Sequence, residues 1–411
     1  MGTDFEKFRR WSILSLLNLL FVSLLGVLLR YKIVLPLPGV NYKFLLHAHS
    51  HFAFSGWIST ALFTALLYIL FRSGGRVGKI YTYLFWLAQI ASFGMLLSFP
   101  FQGYGPVSIF FSVLSIFFSW GFTWQYVKDM GKCGLSLSIQ RWIKAALFFF
   151  IVSGAGPFLL AYIMSHKLVA PDLYYNAVYL FLHFQYNGWF SFGVLALFFF
   201  VEAHYGLPLE GKIRRIFFRL MAAACIPAYC LSLLWMNPPV WVFVIAALAA
   251  CLQLLALVVF LLMVRSSWSD WSLLLPLQVK LFWGLSFLAF MIKLVLQALS
   301  VIPVLGRFAF GFRPVIVGYL HLVTLGFLSF FLVGFFIMEK LFNTGSAVWK
   351  KGCGIFVAGV LLNEFVLLIQ SIWAVFGNSL PAAPFLLFAA AAIIFAGVVL
   401  MLIPQIRRRP L

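Results

Sequence analysis

Residues 46–71 read LHAHSHFAFSGWISTALFTALLYILF, with three histidines in five positions ahead of a nearly unbroken apolar run. The run 52–71 has the length of about 20 residues that an α-helix needs to cross the hydrocarbon core of a bilayer. Histidine is costly in hydrocarbon unless it holds a proton, a partner or a metal. The stretch therefore predicts a membrane-spanning helix that begins at a functional cluster.

The three histidines of this stretch do not share one face of the helix. With 3.6 residues per turn, His47 and His51 lie on the same face and His49 points almost the opposite way. One helix can therefore serve two neighbouring sites. Three imidazoles so close together favour iron or copper, since imidazole suits both metals.

Composition indicates an all-α integral membrane protein. Of the 411 residues, 64% are hydrophobic and only 9% are charged, which no soluble domain matches. Loops are short throughout, so we predict a single polytopic membrane domain, 1–411, with about twelve transmembrane helices. The predicted spans, numbered 1 to 12 in chain order, are 10–31, 44–71, 80–101, 106–127, 141–164, 173–202, 213–235, 239–264, 276–303, 313–338, 351–376 and 381–404.

The basic residues predict the orientation of the spans, because Lys and Arg accumulate on the cytoplasmic side. Most of the 29 Lys and Arg residues lie at one set of span ends. Both termini are then cytoplasmic, in a bacterial-type inner membrane. Anionic lipid accounts for the net charge of +20 without nucleic acid. The outer side keeps Arg30, Lys32, Lys43, Lys167, Arg307 and Arg313.

Two further histidines fall at a similar depth to His49. His183 on span 6 and His321 on span 10 both follow the outer mouth of an even-numbered span by a few turns, so the three share one layer of the outer half of the bilayer. Core histidines with local hydrogen-bond partners would be expected at scattered depths. The shared layer therefore favours ligation of a metal or a heme.

A heme in such a layer needs two axial imidazoles, an apolar sheath and cations for its propionates. Arg307 and Arg313 stand just before span 10, on the side where the propionates of a heme held by His321 would emerge. Simple solvation of a loop explains the two arginines equally well.

Two segments carry a resemblance to a known family. The segment 48–57, AHSHFAFSGW, resembles the histidine signature of heme-copper oxidase subunit I, and 318–327, GYLHLVTLGF, is similar to the tenth helix of its cbb-type branch. Both segments also resemble the NnrS family, twelve-helix relatives implicated in the response to nitric oxide. The resemblance implies an oxidase-like helix bundle.

The resemblance also implies ligands. It predicts a low-spin heme, of b type, clamped by His321 and by either His49 or His51. The high-spin heme of the family takes a second histidine on the tenth helix, but here that position is Tyr319. Tyr319 could ligate iron as a phenolate or simply donate a hydrogen bond, and we favour the second.

The copper site of the family cannot be assembled from matching positions. His183 could correspond to the copper ligand on the sixth helix of the family. The family's other two copper ligands are histidines on the seventh helix, and span 7 contains no histidine. A copper or a second heme could instead be held by His47, His51 and His183. The oxygen-reducing centre is therefore expected to be incomplete.

Three functions are compatible with these residues, and whether the protein is an enzyme stays open. We prefer a heme-binding protein, with copper as a second candidate metal, that serves electron transfer or the handling of nitric oxide without the standard oxygen chemistry. Its candidate partners are an electron-donor subunit or a quinol and a gaseous ligand, nitric oxide or oxygen. The second is a catalytic oxygen or nitric oxide reductase with a rearranged centre. The third is a transporter or assembly factor for metal or heme.

Overall fold

A computed structural model describes residues 2–206 and 211–406, with side chains from residue 4 onward. Its regular elements are all helical in these ranges. Twelve helices are long and apolar enough to cross a membrane, which confirms the predicted number of spans. Spans 1 to 12 are Asp4–Val34, Tyr42–Arg72, Lys79–Gln102, Pro106–Met130, Leu137–Ser165, Pro171–His204, Gly211–Met236, Val240–Ser266, Leu277–Leu299, Arg313–Met338, Ala347–Val375 and Ala383–Ile406.

Polar side chains fix where several spans begin. Asn41 caps span 2, since its side chain accepts hydrogen bonds from the backbone amides of Lys43 and Phe44. Ser136 and Ser346 cap spans 5 and 11 in the same way. Each cap pairs amides that the first helical turn leaves without an intrahelical acceptor.

The predicted bounds differ from the structure mainly at two places. The helix of span 1 begins at Gly2, not at residue 10, because charged residues end an apolar run without ending a helix. Span 9 ends at Leu299, before Pro303 opens a short helix, Pro303–Gly311. A second short helix, Trp268–Leu274, was also not predicted, and its Trp271 stacks on Phe198 with ring centroids 5.0 Å apart.

The surface of the spans is suited to lipid. Large apolar side chains stay exposed along them, among them Phe101 at 85% and Trp124 at 76% exposure. A water-soluble protein rarely leaves such surface uncovered. The protein is therefore a multi-pass membrane protein whose exposed helix faces contact lipid.

Backbone contacts divide the chain into two compact units. The first unit contains Met1–Asp129 and Leu332–Leu411, and the second contains Met130–Phe331. In the first unit, span 12 packs on spans 1 and 11. In the second, span 6 packs on span 5, and span 8 packs on spans 7 and 9. The single domain and the oxidase-like bundle stay predictions.

Spans 2, 6 and 10 differ from the other nine in burial and in backbone form. In the apolar 18-residue stretch of each of these spans, 83%, 100% and 72% of the residues are buried. The corresponding share is 50% or less in every other span. Each also contains a π-helical segment, in which the backbone turn is wider than in an α-helix. These segments are Ala53–Ser59, Phe184–Phe190 and Leu322–Ser329.

Candidate functional site

A repeated nine-residue motif lies at the π-helical segments of spans 2, 6 and 10. Each copy begins with histidine and has glycine at its sixth position, an aromatic residue at its seventh and serine at its ninth. Sequence reasoning missed this repeat, although aligning the three spans on their histidines would have found it. The copies are HFAFSGWIS at 51–59, HFQYNGWFS at 183–191 and HLVTLGFLS at 321–329.

The serine of the motif supports the widened turn, as the copies on spans 6 and 10 show. Ser191 Oγ donates to the carbonyl of Tyr186 at 2.6 Å, and Ser329 Oγ donates to that of Thr324, also at 2.6 Å. Both acceptors lie five residues earlier, the spacing of a π-turn. In these turns a serine hydroxyl pairs with a backbone carbonyl, and a histidine lies next to each turn. They therefore resemble the π-turns that often mark functional sites.

Neighbouring spans supply further donors to the carbonyls of the motif. Asn18 Nδ2 on span 1 donates to the carbonyl of Gly56 in the copy on span 2. Ser286 Oγ on span 9 donates to the carbonyl of Phe327 at 2.7 Å in the copy on span 10. A buried carbonyl without a donor would be costly in an apolar interior, so these side chains stabilise the motif.

The histidines of span 2 face two ways, as the helical period predicts. His49 Nδ1 donates to the carbonyl of Val22 on span 1 at 3.1 Å. His51 Nε2 lies 3.0 Å from the hydroxyl of Tyr104, and the ring centroid of His47 lies 4.6 Å from that of Tyr104. His47 and His51 thus share a site on one face, and His49 belongs to the other.

His321 on span 10 is oriented by its own helix. Its Nδ1 donates to the carbonyl of Val317 at 2.8 Å, one turn earlier. With the proton on Nδ1, Nε2 is the unprotonated nitrogen. This is the tautomer in which a histidine binds a metal through Nε2.

His183 on span 6 has both ring nitrogens engaged. Nε2 donates to the carbonyl of Cys225 at 2.8 Å, and Nδ1 lies 3.0 Å from the amide nitrogen of Asn187, which donates to it. The side chain is completely buried. Ligation of a metal by His183 would require one of these bonds to break, and its predicted role as a copper ligand stays a prediction.

Tyr319 lies two residues before His321 and has a buried hydroxyl. Within 2–206 and 211–406, that hydroxyl has no hydrogen-bond partner. Its ring meets that of Tyr186 edge to face, with centroids 5.8 Å apart. Most buried hydroxyls have a hydrogen-bond partner, so this one is consistent with a bound group that is not part of the protein.

The predicted site residues are divided between the two units. The first unit contains His47, His49 and His51, and the second contains the others. The pairing of His49 or His51 with His321, and the convergence of His47 and His51 with His183, therefore stay predictions. Both predicted propionate partners, Arg307 and Arg313, are exposed, and Arg313 is the first residue of span 10.

No cluster of three or more His, Cys, Asp or Glu side chains that could hold a metal ion occurs in the described part of the chain. A heme with two axial imidazoles needs no such cluster, because each imidazole approaches the iron from its own side. The comparisons with known proteins add no identification: no protein-family model matches the chain, and no curated protein is significantly similar to it.

Proposed function

We propose that this protein binds a low-spin, b-type heme with His49 and His321 as ligands and serves electron transfer or the handling of nitric oxide, as the resemblance to heme-copper oxidase subunit I and NnrS implies. One observation carries the proposal. Both histidines donate Nδ1–H to a backbone carbonyl, that of Val22 and that of Val317. Both are thereby set in the tautomer that presents Nε2 to a metal.

The same bonds distinguish His49 from His51, a choice that the sequence left open. The Nε2 atom of His51 already lies at hydrogen-bond distance from Tyr104. His49 makes only the Nδ1 bond among the described residues, so its Nε2 is available. We therefore assign His49, and not His51, as the axial ligand on span 2.

The donor set fits a heme. Two neutral imidazoles are a common axial pair for a low-spin iron, which when bound would supply one-electron transfer. The chain's own part is to hold the ligands, exclude water with the buried aromatic residues of spans 2 and 10, and neutralise propionates with Arg307 and Arg313. The position of Arg313, two helical turns before His321 on the same helix, supports this role.

The proposal includes a location and partners. Both termini lie in the cytoplasm of a bacterial-type cell, because most Lys and Arg residues fall at the corresponding span ends. A donor subunit or a quinol supplies electrons, and nitric oxide or oxygen is the gaseous ligand. The buried Tyr319 hydroxyl favours a second candidate, a reductase in which this hydroxyl faces a gas ligand at a rearranged centre.

The test is a spectrum of the detergent-purified protein, with pyridine-hemochrome analysis. We expect one low-spin heme b per chain, lost in His49→Ala and in His321→Ala but retained in His51→Ala, the matched control two residues away. Absence of heme from the wild type would overturn the proposal. Loss in His51→Ala and retention in His49→Ala would overturn the axial assignment.

Addition of carbon monoxide or nitric oxide to the reduced protein separates the two candidates. An unchanged spectrum supports the electron-transfer role, because two protein ligands leave no coordination position open for the gas. A shift that Tyr319→Phe leaves unaltered supports the handling of nitric oxide at the same heme. A shift that Tyr319→Phe alters would instead support the reductase, since the substitution removes only the hydroxyl oxygen.

A further inference from the structure

A second group of potential ligands lies on the other face of span 2, opposite His49. His47 and His51 are one helical turn apart, and both approach Tyr104, in the turn between spans 3 and 4. The Tyr104 hydroxyl is 3.0 Å from His51 Nε2, and its ring is 4.6 Å from that of His47 by centroids. All three residues belong to the first unit.

Backbone conformation, a hydrogen bond and ring packing hold Tyr104 in this position. Gly103 has φ +57°, in the left-handed region that glycine adopts without strain. Ser108 Oγ donates to the carbonyl of Gly105 at 2.9 Å, which ties the turn to the start of span 4. The Phe99 ring then meets Tyr104 edge to face, with centroids 5.3 Å apart.

Phe99 also fixes one of the imidazoles. His51 stacks on its ring, with centroids 4.5 Å apart and an interplanar angle of 21°. The same ring lies 6.0 Å from that of His47. Two imidazoles and a phenol are therefore held by packing around one aromatic side chain.

We propose that His47, His51 and Tyr104 bind one transition-metal ion, with Cu(II) favoured, at the N-terminal end of span 2. Two histidines at i and i+4 on one helical face are a well-known pair of metal ligands. Tyrosine can complete the set as a phenolate, and three protein ligands leave a fourth position for water. Cu(II) is bound most tightly of the common divalent ions at nitrogen and oxygen sites.

The site is separate from the proposed heme. His49 contacts span 1 through Val22, whereas His47 and His51 contact the residues that end span 3 and follow it. The positive charge of Lys43, one turn before His47, opposes a cation. Its side chain is exposed, so water and salt screen that charge. Metal binding releases the phenol proton of Tyr104 to solvent, and affinity should therefore rise with pH.

The test is titration of the purified, metal-free protein with Cu(II), read by elemental analysis, electron paramagnetic resonance and visible absorption. We expect one Cu(II) per chain, with nitrogen hyperfine structure from the two imidazoles. His47→Ala and His51→Ala should each weaken binding by roughly a hundredfold or more, since loss of even an outer partner of a ligand costs about 10- to 100-fold.

Tyr104→Phe is the sharpest variant, because it keeps the ring packing and removes only the oxygen. We expect it to abolish the phenolate-to-copper absorption band and to weaken binding, while the imidazole hyperfine signal remains. His166→Ala is the matched control: His166 is an exposed histidine that hydrogen-bonds Ser165 at the end of span 5, and its loss should leave copper binding unchanged.

Two results would overturn this site. One is wild-type binding no tighter than that of the His47→Ala/His51→Ala double variant. The other is a Tyr104→Phe variant with the same spectrum and affinity as the wild type. His49→Ala should keep the copper whether or not a heme is present, so failure of the heme proposal and failure of this one are distinguishable. Circular dichroism verifies that each variant folds.

Discussion

Spans 2 and 6 carry nearly the same motif, but their histidines have opposite surroundings. His183 on span 6 is completely buried and has both ring nitrogens hydrogen-bonded. On span 2, His49 is bonded through Nδ1 only, and His51 contacts a tyrosine at the end of the helix. The motif therefore specifies the widened turn, and the groups around each imidazole decide whether it can bind a ligand.

The largest expected difference between the two spans concerns stability. His183→Ala removes two hydrogen bonds and opens a cavity, which should lower the free energy of unfolding by roughly 3 kcal/mol. His49→Ala in the heme-free protein loses a single bond and should cost about 1 kcal/mol. Unfolding of purified apoprotein in mixed micelles measures both. A larger cost for His49→Ala would remove the distinction between a structural and a ligating histidine.

The glycines of the two motifs should also differ. A Cβ added at Gly188 would overlap Cβ of Phe149, which is fixed to the backbone of span 5. Added at Gly56, its three nearest neighbours would be ring atoms of Phe52, which belong to a side chain and are not fixed to the backbone. We expect Gly188→Ala to cost about 2 kcal/mol and Gly56→Ala less than about 1 kcal/mol.

The same unfolding assay compares the two glycine variants. Equal costs would mean that the Phe52 ring is held as firmly as the Phe149 backbone. Gly284→Ala is a suitable control, because a Cβ there meets no other atom within contact distance. It should leave the free energy of unfolding unchanged or slightly higher, since alanine favours helix more than glycine does.

The π-turn of span 2 receives support from span 1 in addition to a bond within its own helix, from Thr60 Oγ1 to the carbonyl of Ser55 at 3.1 Å. Asn18 donates to the carbonyl of Gly56 and, at 2.8 Å, to Gln89 Oε1. Asn18→Ala therefore removes a hydrogen-bond donor from two buried acceptors. Ser191 supports span 6 through one bond within its own helix. Asn18→Ala should therefore cost between about 1 and 2 kcal/mol and Ser191→Ala about 1 kcal/mol or less.

Hydrogen exchange measures where each of these variants loosens. Asn18→Ala should speed exchange of amides in span 2 and leave those of span 6 unchanged, and Ser191→Ala should do the reverse. Faster exchange in both spans from either variant would show that the two turns are not supported independently.

The smallest expected change in stability concerns two ion pairs at the C-terminal ends of these spans. Arg72, which ends span 2, lies 3.4 Å from Glu339, and Arg214 lies 3.0 Å from Glu202 near the end of span 6. Burial raises the pKa of Glu339, and a hydrogen bond from Tyr68 and the charge of Arg72 offset this only in part.

A carboxyl with a raised pKa stabilises the fold fully only below its unfolded-state pKa of about 4.3, and the contribution is lost as pH rises through the folded-state value. The slope cannot exceed about 1.4 kcal/mol per pH unit for one proton. Glu339→Gln should flatten that part of the stability curve, which begins at the unfolded-state pKa of about 4.3 and extends to higher pH. Parallel curves for wild type and variant would contradict the raised pKa of Glu339.

How much the sequence could predict depended on the range of each interaction. Hydropathy predicted the twelve spans, and the helical period predicted the two faces of His47 and His49, because both are local properties. The widened turns were missed, since a π-turn leaves the apolar pattern almost unchanged. The closed environment of His183 could not be predicted either, because its acceptor, Cys225, lies 42 positions further along the chain.

A π-turn holds one residue more than the α-turn it replaces. Deleting a single codon within 184–190 would let span 6 close into a continuous α-helix, and the residues after the deletion would keep nearly their present direction relative to His183, because the wider turn already accommodates the extra residue. The fully buried Phe192 and Leu195 would then face nearly the same side of the helix as before. The three widened turns thus keep the rest of each helix in phase despite an extra residue, so that a deletion within a turn should disturb the span less than a deletion elsewhere in it, which would rotate the following residues by about 100°.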